Sequence, residues 1–221
     1  MAQAPQKICI LTSGGIDSSL LMEKALEQGY EVHPYYLRFG MHWEKAELDS
    51  LKKLITHLET PDLKPLTVQS IPYQQWFPDH WGFHPEETPE LEAPDPAVFI
   101  PGRNIFLIAC ATAFSHRAQL EKIWLGTLKG NSFQDGKSDF FKAFSEILGY
   151  SFSTTVPIEE PFIQLEKLKL IGKNPDFPYS LTLSCIKPQE GKHCGACQKC
   201  GERQRHFRSA GLKDPTEYAT L

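Results

Sequence analysis

The chain has 221 residues, 41% of them apolar and 23% charged, with a formal net charge of −4. That length supports one substantial core, or one domain with a small appendage, and the composition is that of a globular protein. The acidic balance argues against stable nucleic-acid binding, and no apolar run reaches the roughly 18 residues that a membrane span needs.

The opening residues lead into a short apolar run around Cys9. It is too short and too abruptly ended for a signal peptide, so a cytoplasmic protein beginning on its first strand is expected. Lys7 to Thr12 lacks alternation and reads as a strand buried on both faces. Ser13-Gly14-Gly15 breaks it, and Leu20, Leu21, Ala25 and Leu26 then mark a helix that Gly29 ends. Val32 to Leu37 is a second strand. Glu44 to Leu58 is a second helix, whose buried stripe is Ala46, Leu48, Leu51, Leu54, Ile55 and Leu58. Leu66 to Ile71 is a third strand.

Residues 72–99 differ in kind. Pro72, Pro78, Pro85, Pro89, Pro94 and Pro96 exclude regular helix or central strand, while Trp76 and Trp81 suggest a packed, lid-like insertion. Order resumes with a helix over Asn104 to Ala118 and a strand over Lys122 to Thr127. A helix over Ser138 to Leu148, an extended piece over Ser153 to Pro157, and helices over Gln164 to Ile171 and Gly201 to Ala210 follow. Strands alternating with helices predict an α/β fold with a doubly wound parallel sheet over residues 1–180, followed by a C-terminal segment, 181–221. Such sheets bind ligands beyond the C-terminal strand ends, where the loop from Thr12 lies.

In that loop, Gly14 and Gly15 let the backbone turn tightly and present N–H groups. The helix start at Ile16 adds orphan donors, and Ser13, Ser18 and Ser19 add hydroxyls. The segment is therefore an anion cradle. Neither a Walker A triplet nor a Gly-x-Gly-x-x-Gly fingerprint is present. Asp17 repels phosphate unless a cation accompanies it, which points to Mg2+; its alternative role is to cap the helix.

Cys185, Cys194, Cys197 and Cys200 crowd into the last 37 residues. Four thiolates suit a closed, structural tetrahedral Zn2+ site; iron–sulfur chemistry uses similar spacing, and His193 and His206 are available as substitute ligands. The basic residues Lys187, Lys192, Lys199, Arg203, Arg205 and Arg208 read as a solvated helix face rather than a polyanion site.

The Ser13-Gly14-Gly15-Ile16-Asp17-Ser18 segment resembles the pyrophosphate loop of the N-type ATP pyrophosphatases, which adenylate their substrates. Together with Phe99-Ile100-Pro101-Gly102-Arg103-Asn104, Ser184-Cys185 and Cys194-Gly195-Ala196-Cys197-Gln198-Lys199-Cys200, it makes the chain resemble the 7-cyano-7-deazaguanine synthase family over nearly its whole length. The resemblance implies an adenine nucleotide alpha hydrolase-like, Rossmann-like fold with a zinc-binding C-terminal segment. It implies an ATP-dependent carbon–nitrogen ligase that turns 7-carboxy-7-deazaguanine and ammonia into a nitrile. It also admits a homodimer. By the same resemblance Thr12 to Ser19 hold the ATP phosphates, and Arg103 and Asn104 lie on the active-site floor. Ser13, Asp17 and Arg103 are then the catalytic set.

Two segments depart from the family pattern. Phe39-Gly40-Met41-His42-Trp43 keeps a histidine, His42, but lacks the family's arginine. In Asn131-Ser132-Phe133-Gln134-Asp135-Gly136-Lys137, Asp135 matches an aspartate, while glycine and lysine replace cysteine and arginine. His42, Asn131, Asp135 and Lys137 are therefore the substrate-side candidates. Three rivals remain at this level. One is a diverged adenylating enzyme that forms an amide or conjugate. Another is a tRNA-thiolating ATP pyrophosphatase, which needs a reactive cysteine where Cys110 reads as core. The third is a zinc-containing nucleotide-binding module without catalysis.

Overall fold

The computed structural model describes residues 4–219; the first residues of the stretch read for a signal peptide lie outside them. Five strands, β1 (Lys7–Leu11), β2 (Glu31–Arg38), β3 (Thr67–Ser70), β4 (Lys122–Trp124) and β5 (Ile158–Glu159), pair in parallel in the order β3-β2-β1-β4-β5. Seven helices accompany them among the described residues: α1 (Ile16–Glu27), α2 (Glu44–His57), α3 (Tyr73–Trp76), α4 (Arg103–Ala118), α5 (Ser138–Phe152), α6 (Lys167–Lys173) and α7 (Gln198–Ser209). None of these helices is long and apolar enough to cross a membrane.

The unbroken apolar run of β1 follows from cover on both faces. Ile8 and Ile10 pack into one core with Leu20 and Leu21 of α1 and Leu51 and Leu54 of α2. Cys9 and Leu11 point the other way, into a core with Ile108 and Phe114 of α4 and Phe141 of α5. The chain leaves β1 toward β2 on one side and crosses back from β3 to β4 on the other, so the strand order reverses at β1 and opens a crevice beyond the carboxyl ends of β1 and β4.

Several boundaries differ from the sequence reading, each for a local reason. Gly149 does not end α5, which runs on to Phe152 and stops at left-handed Ser153. A Cβ at Gly149 would lie 2.5 Å from Thr155 Oγ1, so this glycine makes room for the returning chain. The extended piece expected at Ser153 to Pro157 accordingly becomes the two-residue strand β5 beyond it. Strand β4 ends at Trp124 rather than Thr127. Helix α6 starts at Lys167, three residues later than expected, and α7 starts at Gln198, inside the cysteine run.

Residues 72–99 form α3 and three 3-10 turns. Trp81 stacks on Trp43 with ring centres 5.1 Å apart, while Trp76, half exposed, lies flat on Phe106. The far end of the segment is tied to the C-terminal region, where Gln198 N donates to Pro89 O at 3.0 Å.

Gly14 has φ +71°, and a Cβ there would sit 3.2 Å from Glu47 O and 3.3 Å from Leu51 Cβ. Left-handed backbone costs an ordinary residue about 1–2 kcal/mol. Gly14→Ala should therefore lower the thermal midpoint by about 2–8 °C for a chain of this size. An unchanged midpoint in a calorimetric scan would show that the loop is not held in this conformation.

Candidate active site and metal centre

The crevice at the strand ends holds two connected lobes. The larger has a volume of about 600 Å³ and the smaller about 270 Å³; Asp17, Arg103, Lys167, Glu202 and His206 line both. Ser13, Gly15, Ile16 and Ser18 belong to the small lobe.

The loop is built by its own hydroxyls. Gly15 N donates to Ser13 Oγ, Ser13 N donates to Ser18 Oγ, and Ser19 Oγ donates to Gly15 O at 2.7 Å. Ser19 and Thr12 sit behind the loop: Ser19 is fully buried, and the Thr12 hydroxyl is buried without a hydrogen-bond partner. Gly126 lets the chain leaving β4 approach the start of α1, since a Cβ there would lie 3.2 Å from Asp17 C and Ser18 N.

Asp17 does not cap its helix; Lys167 at the start of α6 lies 2.6 Å from its carboxylate. Arg103 opens α4 after left-handed Gly102, in a first turn without acidic residues. A cation there opposes the helix dipole, which marks the position as functional rather than stabilising. Its guanidinium has no ion-pair partner within 4.0 Å among the described residues and lines both lobes. Lys199 pairs with Glu202 at 2.7 Å. Burial raises the Glu202 carboxyl, but Lys199 outweighs it and leaves the group below its ordinary range.

The substrate-side candidates separate. Asp135 and Asn131 line the large lobe with Phe133, whose ring stacks on Phe99 at 5.5 Å. The amide of Asn104 donates to Asp135 O at 2.9 Å, leaving the Asp135 carboxylate without a side-chain partner. Asn131 is occupied by its own loop: it donates to Gly136 O and accepts from Phe133 N, and Lys137 donates to its carbonyl. His42 lies outside both lobes. Its ring nitrogens sit 2.8 Å from Gly82 O and 2.7 Å from Ile186 O, which makes it a strut between the 72–99 segment and the cysteine region. Reading it as the partner of a family histidine gave no warning of this. Lys167, Glu202 and Glu47 carry no local motif and were missed, and Lys199, read as part of a solvated basic face, lines the lobes instead; only the fold brings Lys167 to Asp17 across 150 residues.

The four C-terminal cysteines are buried, with sulfurs all within 4.8 Å of one another. They are not disulfide-bonded. Sulfurs around one tetrahedral zinc with bonds of about 2.3 Å lie about 3.8 Å apart. Cys185–Cys197 and Cys194–Cys200 are 3.8 and 3.9 Å apart, so the set is compatible with a single zinc ion. Backbone N–H groups of Lys187 and Cys194 point at Cys185 Sγ, and that of Ala196 at Cys194 Sγ, as thiolate charge requires. Neither histidine substitutes: His193 accepts from Ser184 N, and His206 lines the lobes.

The basic patch also needs correction. Arg205 and Arg208 are solvated, but Arg203 is 2% exposed and donates to Thr182, Ser184, Thr216, Asp214 and Tyr179 O. It joins α7 to the final residues and to Leu183, whose N–H donates to Gly14 O at 2.9 Å.

A sequence profile described as "Queuosine biosynthesis protein QueC" matches residues 7–211. The 7-cyano-7-deazaguanine synthase of Methanosphaerula palustris is 33% identical, with 96% of this chain and 98% of that protein covered. The same-named protein of Chlorobium phaeobacteroides is 29% identical over 95% of each, and that of Methanocaldococcus jannaschii 28% identical over 96% of this chain and 99% of that one. Among solved structures, a 4-thiouridine synthetase–RNA complex with bound ATP matches 93% of this chain and 50% of that one, at TM-score 0.50 and 14% identity, a likeness of fold. The chain belongs to the QueC family.

Two outcomes are expected. X-ray absorption on purified protein should give one zinc per chain with four sulfurs at about 2.3 Å; iron with sulfide would contradict the single-ion geometry. Arg203→Met should cost about 3–5 kcal/mol in urea unfolding, the range for breaking a buried ion pair. A loss below about 1 kcal/mol, the worth of an exposed pair, would mean its bonds are not held in solution.

Proposed function

We propose that this chain is an ATP-dependent 7-cyano-7-deazaguanine synthase that adenylates 7-carboxy-7-deazaguanine and converts it with ammonia, through the amide, to the nitrile. The observation that supports this reading most directly is the pyrophosphate-type loop. It opens, with Asp17, Arg103 and Lys167 around it, onto a cavity large enough for a nucleotide and a small acceptor.

In this reading the N–H groups and hydroxyls of Ser13 to Ser18 hold the departing pyrophosphate. Lys167 and Arg103 stabilise charge as it develops at the phosphates. Asp17 would hold Mg2+ there, and the ion would offset the pyrophosphate charge. Arg103 offers a planar fork to the acceptor carboxylate or the α-phosphate, and its place on both lobes suits the transfer between them. In the large lobe, the stacked Phe99 and Phe133 make an apolar wall for a heteroaromatic ring, and the free carboxylate of Asp135 suits the N–H edge of an aminopyrimidinone. Residues 72–99 supply Asp95, Val98 and Phe99 to the wall and would exclude water from the acyl-adenylate. The cysteine cluster, with four ligands and no open position, keeps zinc structural.

A thiolating reaction is disfavoured because burial raises the Cys110 and Cys9 thiols, the latter to about 12. A diverged enzyme that stops at the amide is the second reading, favoured by the loop in which Lys137 donates to the Asn131 carbonyl instead of lining the cavity.

The test is incubation with magnesium ATP, ammonium and 7-carboxy-7-deazaguanine, following AMP and product mass together. A nitrile with two AMP per product is expected. An amide alone would establish the second reading, and absence of AMP would overturn both.

A further inference from the structure

Glu47 lies in the first turn of α2, beside the phosphate loop, and lines the small lobe with Ser13, Ser18 and Arg103. Tyr36 OH donates to its Oε2 at 2.6 Å; Oε1 has no hydrogen-bond partner among the described residues. Three carboxylates line this lobe. Asp17 is bonded to Lys167 and Glu202 to Lys199, so Glu47 is the one without a cation at ion-pair distance among the described residues. Apolar and aromatic walls, Trp43, Trp81 and Ile186, surround the space in front of it.

We propose that Glu47 is the catalytic base that receives the ammonium nucleophile and takes its proton. This rests on the adenylation reading above. Ammonia enters as ammonium, which has no lone pair to attack with. The free oxygen of Glu47 accepts one proton. The nitrogen lone pair then forms the C–N bond at the carbonyl of the acyl-adenylate. The C–O bond to phosphate breaks, AMP leaves with that electron pair, and the nitrogen gives up a second proton to the phosphate of the departing AMP to reach the neutral amide. Carboxylate and indole faces suit a small cation, whereas the cationic groups of the lobe do not.

The environment suits the task. Burial raises the Glu47 carboxyl, and the Tyr36 hydrogen bond and Arg103 only partly offset this, so the group is pushed up to about 7. The groups facing it are Tyr36 on β2, Glu44 one turn earlier on α2 and Arg103 on α4, with the Asp17–Lys167 and Glu202–Lys199 pairs across the lobe. The rival base is His206. Its Nδ1 is sealed 3.9 Å from Glu202, and burial lowers its basicity.

The experiment compares Glu47→Gln, His206→Ala and the unaltered protein in two reactions. The first is exchange of labelled pyrophosphate into ATP with 7-carboxy-7-deazaguanine, which reads adenylation alone. The second is amide formation from ammonium, beside hydroxamate formation from hydroxylamine, a nucleophile already neutral at neutral pH. In Glu47→Gln, exchange and the hydroxamate rate should stay within about threefold, while the ammonium rate falls about 100-fold, the lower range for losing a general base. His206→Ala, which alters the wall of both lobes, should change the ammonium and hydroxylamine rates by the same factor. In the unaltered protein the ammonium reaction should rise with pH and level off above about 7, once Glu47 is ionised, whereas direct uptake of free ammonia would keep rising toward the pKa of ammonium itself. This last arm does not depend on any variant folding.

Equal loss of ammonium and hydroxylamine rates in Glu47→Gln, or a loss confined to the ammonium rate in His206→Ala instead, would overturn the assignment while leaving adenylation standing. Absence of exchange in the unaltered protein would overturn the adenylation reading itself.

Discussion

Four cysteine sulfurs lie within 4.8 Å of one another, a set compatible with zinc, and nearly everything on one side of the candidate site is tied to that cluster. Cys197 is the N-cap of α7 and Cys200 lies in its first turn, so the cysteine cluster sets where this helix starts and how it is rotated. The face thus fixed presents Lys199, Glu202 and His206 to the lobes. The same centre fixes the antiparallel bridge between Glu90 and Cys197, and hence the end of the 72–99 segment. A metal held by these four cysteines would be part of the wall of the candidate site, although it would offer no open coordination position.

The opposite wall depends on the sheet. Strand β1 ends at Leu11 between β2 and β4, and the chain leaves it through a loop that only glycine at position 14 allows. Gly126 performs the matching task after β4, bringing that exit against the first turn of α1. The Leu183 N–H bond to Gly14 O then joins the two walls. Arg203 reinforces the joint from inside with bonds to Thr182 and Ser184. A residue that sequence reading assigns to a solvated basic face is here a buried tie. Its neighbours Arg205 and Arg208 have the same composition signal but point outward, so charge alone could not separate them.

What was legible in the sequence was what local chemistry dictates. The buried run of β1, the glycine turn, the amphipathic α2 and the thiolate spacing each have a short-range cause, and the parallel order followed from their alternation. The ends of α5 and α6 were not legible, because Gly149 is chosen for a tertiary contact with Thr155 rather than as a stop. Lys167 stands in an unremarkable polar stretch and acquires meaning only when α6 crosses to Asp17. His42 shows the reverse error: a chemically suggestive residue near a strand end is used to hold two loops together.

The charges of the lobes follow a further constraint. Asp17 with Lys167, and Glu202 with Lys199, are balanced before any ligand arrives, while Arg103 remains unpaired. Two charges about 4 Å apart interact by about 4 kcal/mol at the effective dielectric of a protein surface, so each lysine strongly prefers its carboxylate to an empty cavity. A polyphosphate arriving with its own divalent cation changes this balance. The cation competes for Asp17 and the phosphate oxygens compete for Lys167, so one exchange satisfies both. A polyanion without a cation would have to strip Lys167 and leave Asp17 facing it. On the proposed function, the carboxylate inside this loop would select for the metal complex of the nucleotide over the bare anion, which would explain how Asp17 can stand in a segment whose other features all attract negative charge.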